Sequence, residues 1–168
     1  CSSRFVSCAE VENLIAIIPG KTDSPYLALM AHYDSVPMSS GAGDDGAGVV
    51  AILETARALK LEAPFSHPIV LILTDGEESG LIGAEAFFGQ HPLSKEIGVV
   101  LNVEGSGSAG SSMVLRTSVN NELLIKNYSS QNSSPYGFSF VKEIFKRMPN
   151  DTDFSVVKRA KIPGIDFA

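Results

Sequence analysis

Four short apolar runs, at residues 13–18, 26–31, 69–73 and 99–103, stand apart from stretches where apolar positions recur every three or four residues. Runs this short with no polar alternation predict strands buried on both faces, as in a parallel sheet. The first is closed by Pro19-Gly20, a turn signal. Val49, Ile52, Leu53, Ala56 and Leu59 fall at helical spacing and predict one apolar helix face, with a boundary at Pro64. Residues 81–88 predict a shorter helix, stopped near Gly89 and Pro92. Beyond it, 113–117 predicts a strand, 121–129 a helix with Glu122 and Lys126 one turn apart, and 139–147 a helix closed by Pro149. Residues 152–159 predict another helix with Asp151 or Thr152 near its cap, and 162–167 returns as a strand. The Gly- and Ser-rich stretch 105–112 predicts a loop. This alternation predicts an α/β sandwich on a largely parallel sheet. No linker divides the chain, so residues 1–168 read as a single domain.

Composition narrows the class. The 168 residues can bury a real core, and 44% hydrophobic with 19% charged residues is a globular profile. A formal net charge of −6 argues against a nucleic-acid partner. No apolar run reaches the length of a membrane span, and no signal peptide or repeat is evident. Cys1 and Cys8 read as free thiols, because an extended segment between them exceeds disulfide reach. The chain opens on Cys1 and stops on an apolar run, and both ends read as cut.

Charge is informative mainly where it sits. His32-Tyr33-Asp34 follows the second run, Glu77-Glu78 the third and Glu104 the fourth, while Asp44-Asp45-Gly46 opens the Val49 helix. Each has an ordinary reading: a surface histidine, a helix cap, a solvated acid pair, a loop acid. Together they fall where open α/β sheets gather their sites, outside the carboxyl ends of the strands. Acids crowded there are unfavourable without a cation. Imidazole with carboxylates suits zinc, and also manganese or cobalt. Two such metals share a bridging carboxylate, and an unligated carboxylate beside them serves as general base. Glu77-Glu78 offers one acid for each role.

The strings 31–36 (AHYDSV), 43–48 (GDDGAG), 75–83 (DGEESGLIG) and 101–104 (LNVE) resemble the co-catalytic di-zinc aminopeptidases. That family includes secreted bacterial leucine aminopeptidases, glutamate carboxypeptidase II and, as an altered branch, glutaminyl cyclase. The later strings 149–154 (PNDTDF) and 162–164 (IPG) are most similar to its membrane-anchored branch. The resemblance implies a three-layer α/β/α sandwich of zinc-exopeptidase type and an aminopeptidase acting on peptides with a free N-terminus. By position, it implies that His32 and Glu104 ligate a first zinc, Asp44 bridges two, Glu78 ligates the second and Glu77 is the base. It further implies that Asp34 orients His32 through the other ring nitrogen, and that Asp45 supports Asp44, in the family often across a cis peptide.

In that family a last histidine for the second metal follows the strand at 162–167, and this sequence stops at Ala168. His67 and His91 stand at the wrong places in the order to replace it. The expectation is one complete zinc site in this chain, a second weak or empty, and poor activity of the chain alone. A glutaminyl-cyclase-like acyltransferase is the first alternative, disfavoured by the intact Asp44-Asp45-Gly46. A non-enzymatic binding domain is the second, disfavoured because His32, Asp44, Glu77, Glu78 and Glu104 are all present. Carboxypeptidase or dipeptidase action stays open within the enzyme reading. The membrane-anchored resemblance implies an extracytoplasmic location and a longer, membrane-attached protein.

Overall fold

The apolar runs become the strands β1 (Leu14–Ile18), β2 (Tyr26–His32), β3 (Ile69–Thr74) and β4 (Ile97–Val103), joined by β5 (Val114–Thr117) and β6 (Gly164–Phe167). The helices are α1 (Gly46–Glu62), α2 (Ile82–Gln90), α3 (Glu122–Gln131), α4 (Ser139–Phe145) and α5 (Phe154–Arg159). This computed structural model describes residues 8–105, 109–145, 147–148 and 151–168. Cys1, part of the 105–112 loop, and Pro149 therefore lie outside the described residues, while Cys8 is a free, exposed thiol.

The strands form one sheet in the order β1-β3-β2-β4-β6-β5. The four central strands run parallel, and the two edge strands β1 and β5 pair antiparallel with their neighbours. The sheet is thus mixed: the runs that became β2, β3 and β4 are parallel as the pattern predicts, but the first run is the antiparallel edge strand β1, which has a neighbour on one side only and leaves Leu14 and Ile17 exposed.

Both faces of that centre are covered. Ala28, Met30, Val70, Ile72 and Val100 point one way and pack with Phe87 of α2 and with Phe154 and Val157 of α5. Leu29, Ala31, Leu71 and Leu73 point the other way and pack with Ile52 of α1. All six residues of β3 are buried, which is why its sequence shows no alternation. Fully burying one such side chain is worth about 1.5–3 kcal/mol.

The α1 stripe is narrower than the spacing predicts. Ile52 is buried and Val49, Ala56 and Leu59 pack partly, but Leu53 lies past the edge of the stripe and is half exposed. The cap of α5 falls at Asp153, and the Thr152 hydroxyl accepts the Phe154 N–H at 3.2 Å. Helices on both faces complete the three layers, and the carboxyl ends of β2, β3, β4 and β6 lie side by side.

Candidate metal centre

The site starts at the last residue of β2. His32 is buried, and its Nδ1 lies 3.0 Å from the Asp34 carbonyl oxygen. A proton on Nδ1 satisfies that carbonyl, so that with a cation bound Nε2 would be free to ligate, the arrangement typical of metal-binding histidines. Nε2 lies 2.9 Å from Asp44 Oδ1 and 3.0 Å from Glu104 Oε1. Ligand atoms of His32, Asp44 and Glu104 all fall within 4.8 Å of one another. Among the described residues this is the one such group.

Three local features bring these groups together. Glu104 follows β4, and its N–H bonds to the Phe167 carbonyl of β6 at 2.8 Å. Asp44 sits on the loop that opens α1, where Asp45 is the cap and accepts the Gly48 N–H at 3.0 Å. The Asp44–Asp45 peptide is cis. Gly105 lets the two segments touch: a Cβ there would stand 2.2 Å from the Gly43 carbonyl oxygen and 2.5 Å from the Asp44 Cα.

The third acid segment is held by Asp34. Its two carboxylate oxygens accept the backbone N–H groups of Glu77 at 3.0 Å and Glu78 at 3.2 Å. The Asp34 carboxylate is 3.5 Å from His32 Nδ1, so the nearer partner of that ring nitrogen is the Asp34 carbonyl. The side chain therefore ties the histidine segment to the Glu77-Glu78 turn. Gly76, at φ +70°, supplies the left-handed position that this turn needs. Glu77 is buried and Glu78 exposed, and both line a cleft of about 1450 Å³ together with Asp44 and Glu104. Glu78 is not part of the three-residue ligand group. His67 bonds to Thr22 and His91 stacks on Phe87, so neither joins it.

The electrostatics are those of a crowded acid cluster. Burial pushes Glu77 up to about 9, helped by the charges of Glu104, Asp153 and Glu78. Burial and the Glu104 charge push Asp45 up to about 8. Burial raises Glu104 against the opposing His32 hydrogen bond. Burial alone would lower His32, but the Glu104 hydrogen bond and the charges of Glu104, Glu77 and Asp45 outweigh it and carry the imidazole to about 10. Asp45 Oδ2 is buried without a hydrogen-bond partner. One imidazole and two carboxylates, converging among acids that resist ionisation, form a donor set that fits a divalent cation.

Sequence reasoning missed the polar layer beneath. Asp153 is buried, bonded to Thr74 at 2.5 Å, and raised to about 7 by burial despite that bond. Arg116 of β5 is the one buried Lys or Arg among the described residues. Its Nε donates to Asp166 of β6 at 2.7 Å, and Asn102 of β4 donates to the other Asp166 oxygen at 2.8 Å. The signal was present: Asn102, Arg116 and Asp166 each interrupt an apolar strand. Buried polar groups of this kind persist where they are paired.

The sequence model of Peptidase family M28 matches residues 13–168. The vacuolar membrane protease of Candida dubliniensis is 36% identical over 170 residues, covering 99% of this chain and 18% of that protein. Endoplasmic reticulum metallopeptidase 1 of Rattus norvegicus is 31% identical over 163 residues, covering 94% of this chain and 18% of that protein. The chain thus spans under a fifth of the length of these two relatives. Among solved structures, a zinc aminopeptidase from Bacillus subtilis superposes with a TM-score of 0.74 at 26% identity, covering 92% of this chain and 39% of that one. An Acidobacteriales bacterium glutaminyl cyclase shares the fold at TM-score 0.71 and 21% identity, covering 93% of this chain and 57% of that one.

Proposed function

This chain belongs to Peptidase family M28, and on that premise we propose that it carries the catalytic centre of a zinc-dependent exopeptidase, an aminopeptidase acting on peptides with a free N-terminus. The observation that carries this reading is the convergence of His32 Nε2, Asp44 Oδ1 and Glu104 Oε1 at the carboxyl ends of the strands. In this reading these three residues hold the first zinc. A second zinc would be held by Asp44 with Glu78, which is outside the three-residue ligand group, and by a further ligand. Bound zinc supplies Lewis acidity, polarising the scissile carbonyl and easing deprotonation of water.

The protein's own groups do the rest. Glu77 lines the cleft beside Glu104 and is held through its backbone by Asp34. It is the general base that takes a proton from water and returns it to the leaving amine. Glu77, raised to about 9 by burial, would be the ionised carboxylate that role needs when positive charge is held beside it. The acids of the cleft also receive the substrate ammonium. The intact Asp44 in the ligand group favours this reading over a glutaminyl-cyclase-like acyltransferase.

Two relatives of this chain are named a vacuolar membrane protease and an endoplasmic reticulum metallopeptidase. No helix among the described residues is long and apolar enough to cross a membrane. The reading, supported by the names of those relatives and by the chain spanning under a fifth of their length, is of a catalytic domain within a longer, membrane-attached protein, on the extracytoplasmic face.

The test is Glu77→Gln in the zinc-loaded full-length protein, assayed on aminoacyl reporters. The expected result is a fall in kcat of about 10²–10⁴ with zinc content retained. Wild-type activity that survives the substitution, or wild-type turnover of an N-terminal glutaminyl peptide by cyclisation alone, would refute the reading.

A further inference from the structure

The cleft that holds the acids is also lined by apolar side chains, Leu115 of β5 and Val141, Ile144 and Phe145 of α4 among them. α4 is a short helix with exposed Phe140 and Ile144, so little burial of its own holds it down. One contact stands out. The Arg116 guanidinium lies 4.2 Å from the centroid of the Phe145 ring, with Phe154 of the core at 5.7 Å.

Arg116 is itself fixed from several sides. Besides Asp166, it donates to the Ser155 hydroxyl at 2.8 Å and the Thr152 hydroxyl at 2.5 Å, and approaches Asp151 at 3.4 Å. Thr152 in turn donates to Asp166 at 3.0 Å. A guanidinium is planar, and fixing its edge by hydrogen bonds leaves its face to stack on an aromatic ring. A buried cation–π contact of this kind is stronger than an exposed one.

We propose that Arg116 is a positioning residue of the cleft: it clamps Phe145, and with it the apolar wall of α4, and so sets how strongly the cleft prefers a large apolar over a small N-terminal side chain. The selectivity half of this rests on the exopeptidase reading; the clamp does not. A lysine keeps the charge facing Asp166 but has no planar face for Phe145, and Phe145→Leu removes the ring without touching the buried ion pair.

The experiment compares wild type, Arg116→Lys and Phe145→Leu in the zinc-loaded full-length protein. The first readout needs no catalysis: the rate of native-state tryptic cleavage after Arg147, which follows α4 and is exposed. The second is kcat and KM on leucyl and alanyl anilide reporters. Both variants are expected to be cut about tenfold faster at Arg147, with zinc content as in wild type. The leucyl-to-alanyl ratio of kcat/KM is expected to fall about tenfold, carried by KM more than by kcat. An unchanged cleavage rate at Arg147 in both variants overturns the clamp. An unchanged reporter ratio overturns the selectivity role while leaving the exopeptidase reading in place. If wild type hydrolyses neither reporter, the exopeptidase reading fails and the selectivity role with it, and the Arg147 rate still decides the clamp.

Discussion

His32 illustrates how one side chain can carry a site. Its Nδ1 is spent on the Asp34 carbonyl, and its Nε2 is aimed at Asp44 and Glu104. Without a cation, the same groups must hold protons to coexist. The pKa values of Glu77, Asp45 and His32 are all raised, so the native state binds more protons than the unfolded chain between the ordinary and raised values. The stability these groups give is full below their ordinary values and is lost as pH rises. For Glu77 the window runs from 4.5 to about 9, and for His32 from 6.5 to about 10. The metal-free protein is therefore expected to melt at progressively lower temperature between about pH 5 and about pH 9, and added zinc is expected to flatten that slope. Thermal denaturation with and without chelator measures both. A metal-free Tm that climbs over the same range would contradict this account.

At the scale of elements, strand ends do the positioning, and loop and strand approach closely at Gly105. A side chain there meets backbone of residues 43 and 44, which cannot swing aside as a side-chain tip would. Gly105→Ala is expected to destabilise by about 1–3 kcal/mol and to weaken zinc binding by moving Asp44 away from Glu104. Urea unfolding and a zinc titration would show it, and a variant indistinguishable from wild type in both would remove Gly105 from the argument.

Elements differ in how far the sequence reveals them. The buried runs of β2, β3 and β4 are legible because burial on both faces leaves no place for a polar residue. The acids were legible because each follows such a run or opens the helix behind one. Leu53 misled because periodicity marks a possible face without showing how much of it a sheet covers. Asn102, Arg116 and Asp166 are visible in the sequence only as lone polar residues in apolar strands, which marks them as unusual without showing their partners. Their meaning lies in pairing across β4, β6 and β5, strands far apart in sequence. The link from Arg116 to Phe145 likewise exists only in the folded chain.

Over the whole molecule, a mixed sheet with helices on both faces brings His32, Asp44, Glu77 and Glu104 to one edge from four separate segments. The core holds the scaffold, Asp34 and Gly105 close the distances between segments, and the Arg116 layer links the site to the apolar side of the cleft. The central claim is that His32, Asp44 and Glu104 hold zinc. Zinc content after exhaustive dialysis of this 168-residue chain, wild type beside His32→Ala, tests it most directly. The account requires one tightly held zinc per wild-type chain and none in the variant. No zinc in wild type, two held tightly, or a zinc that survives the loss of His32 would contradict it.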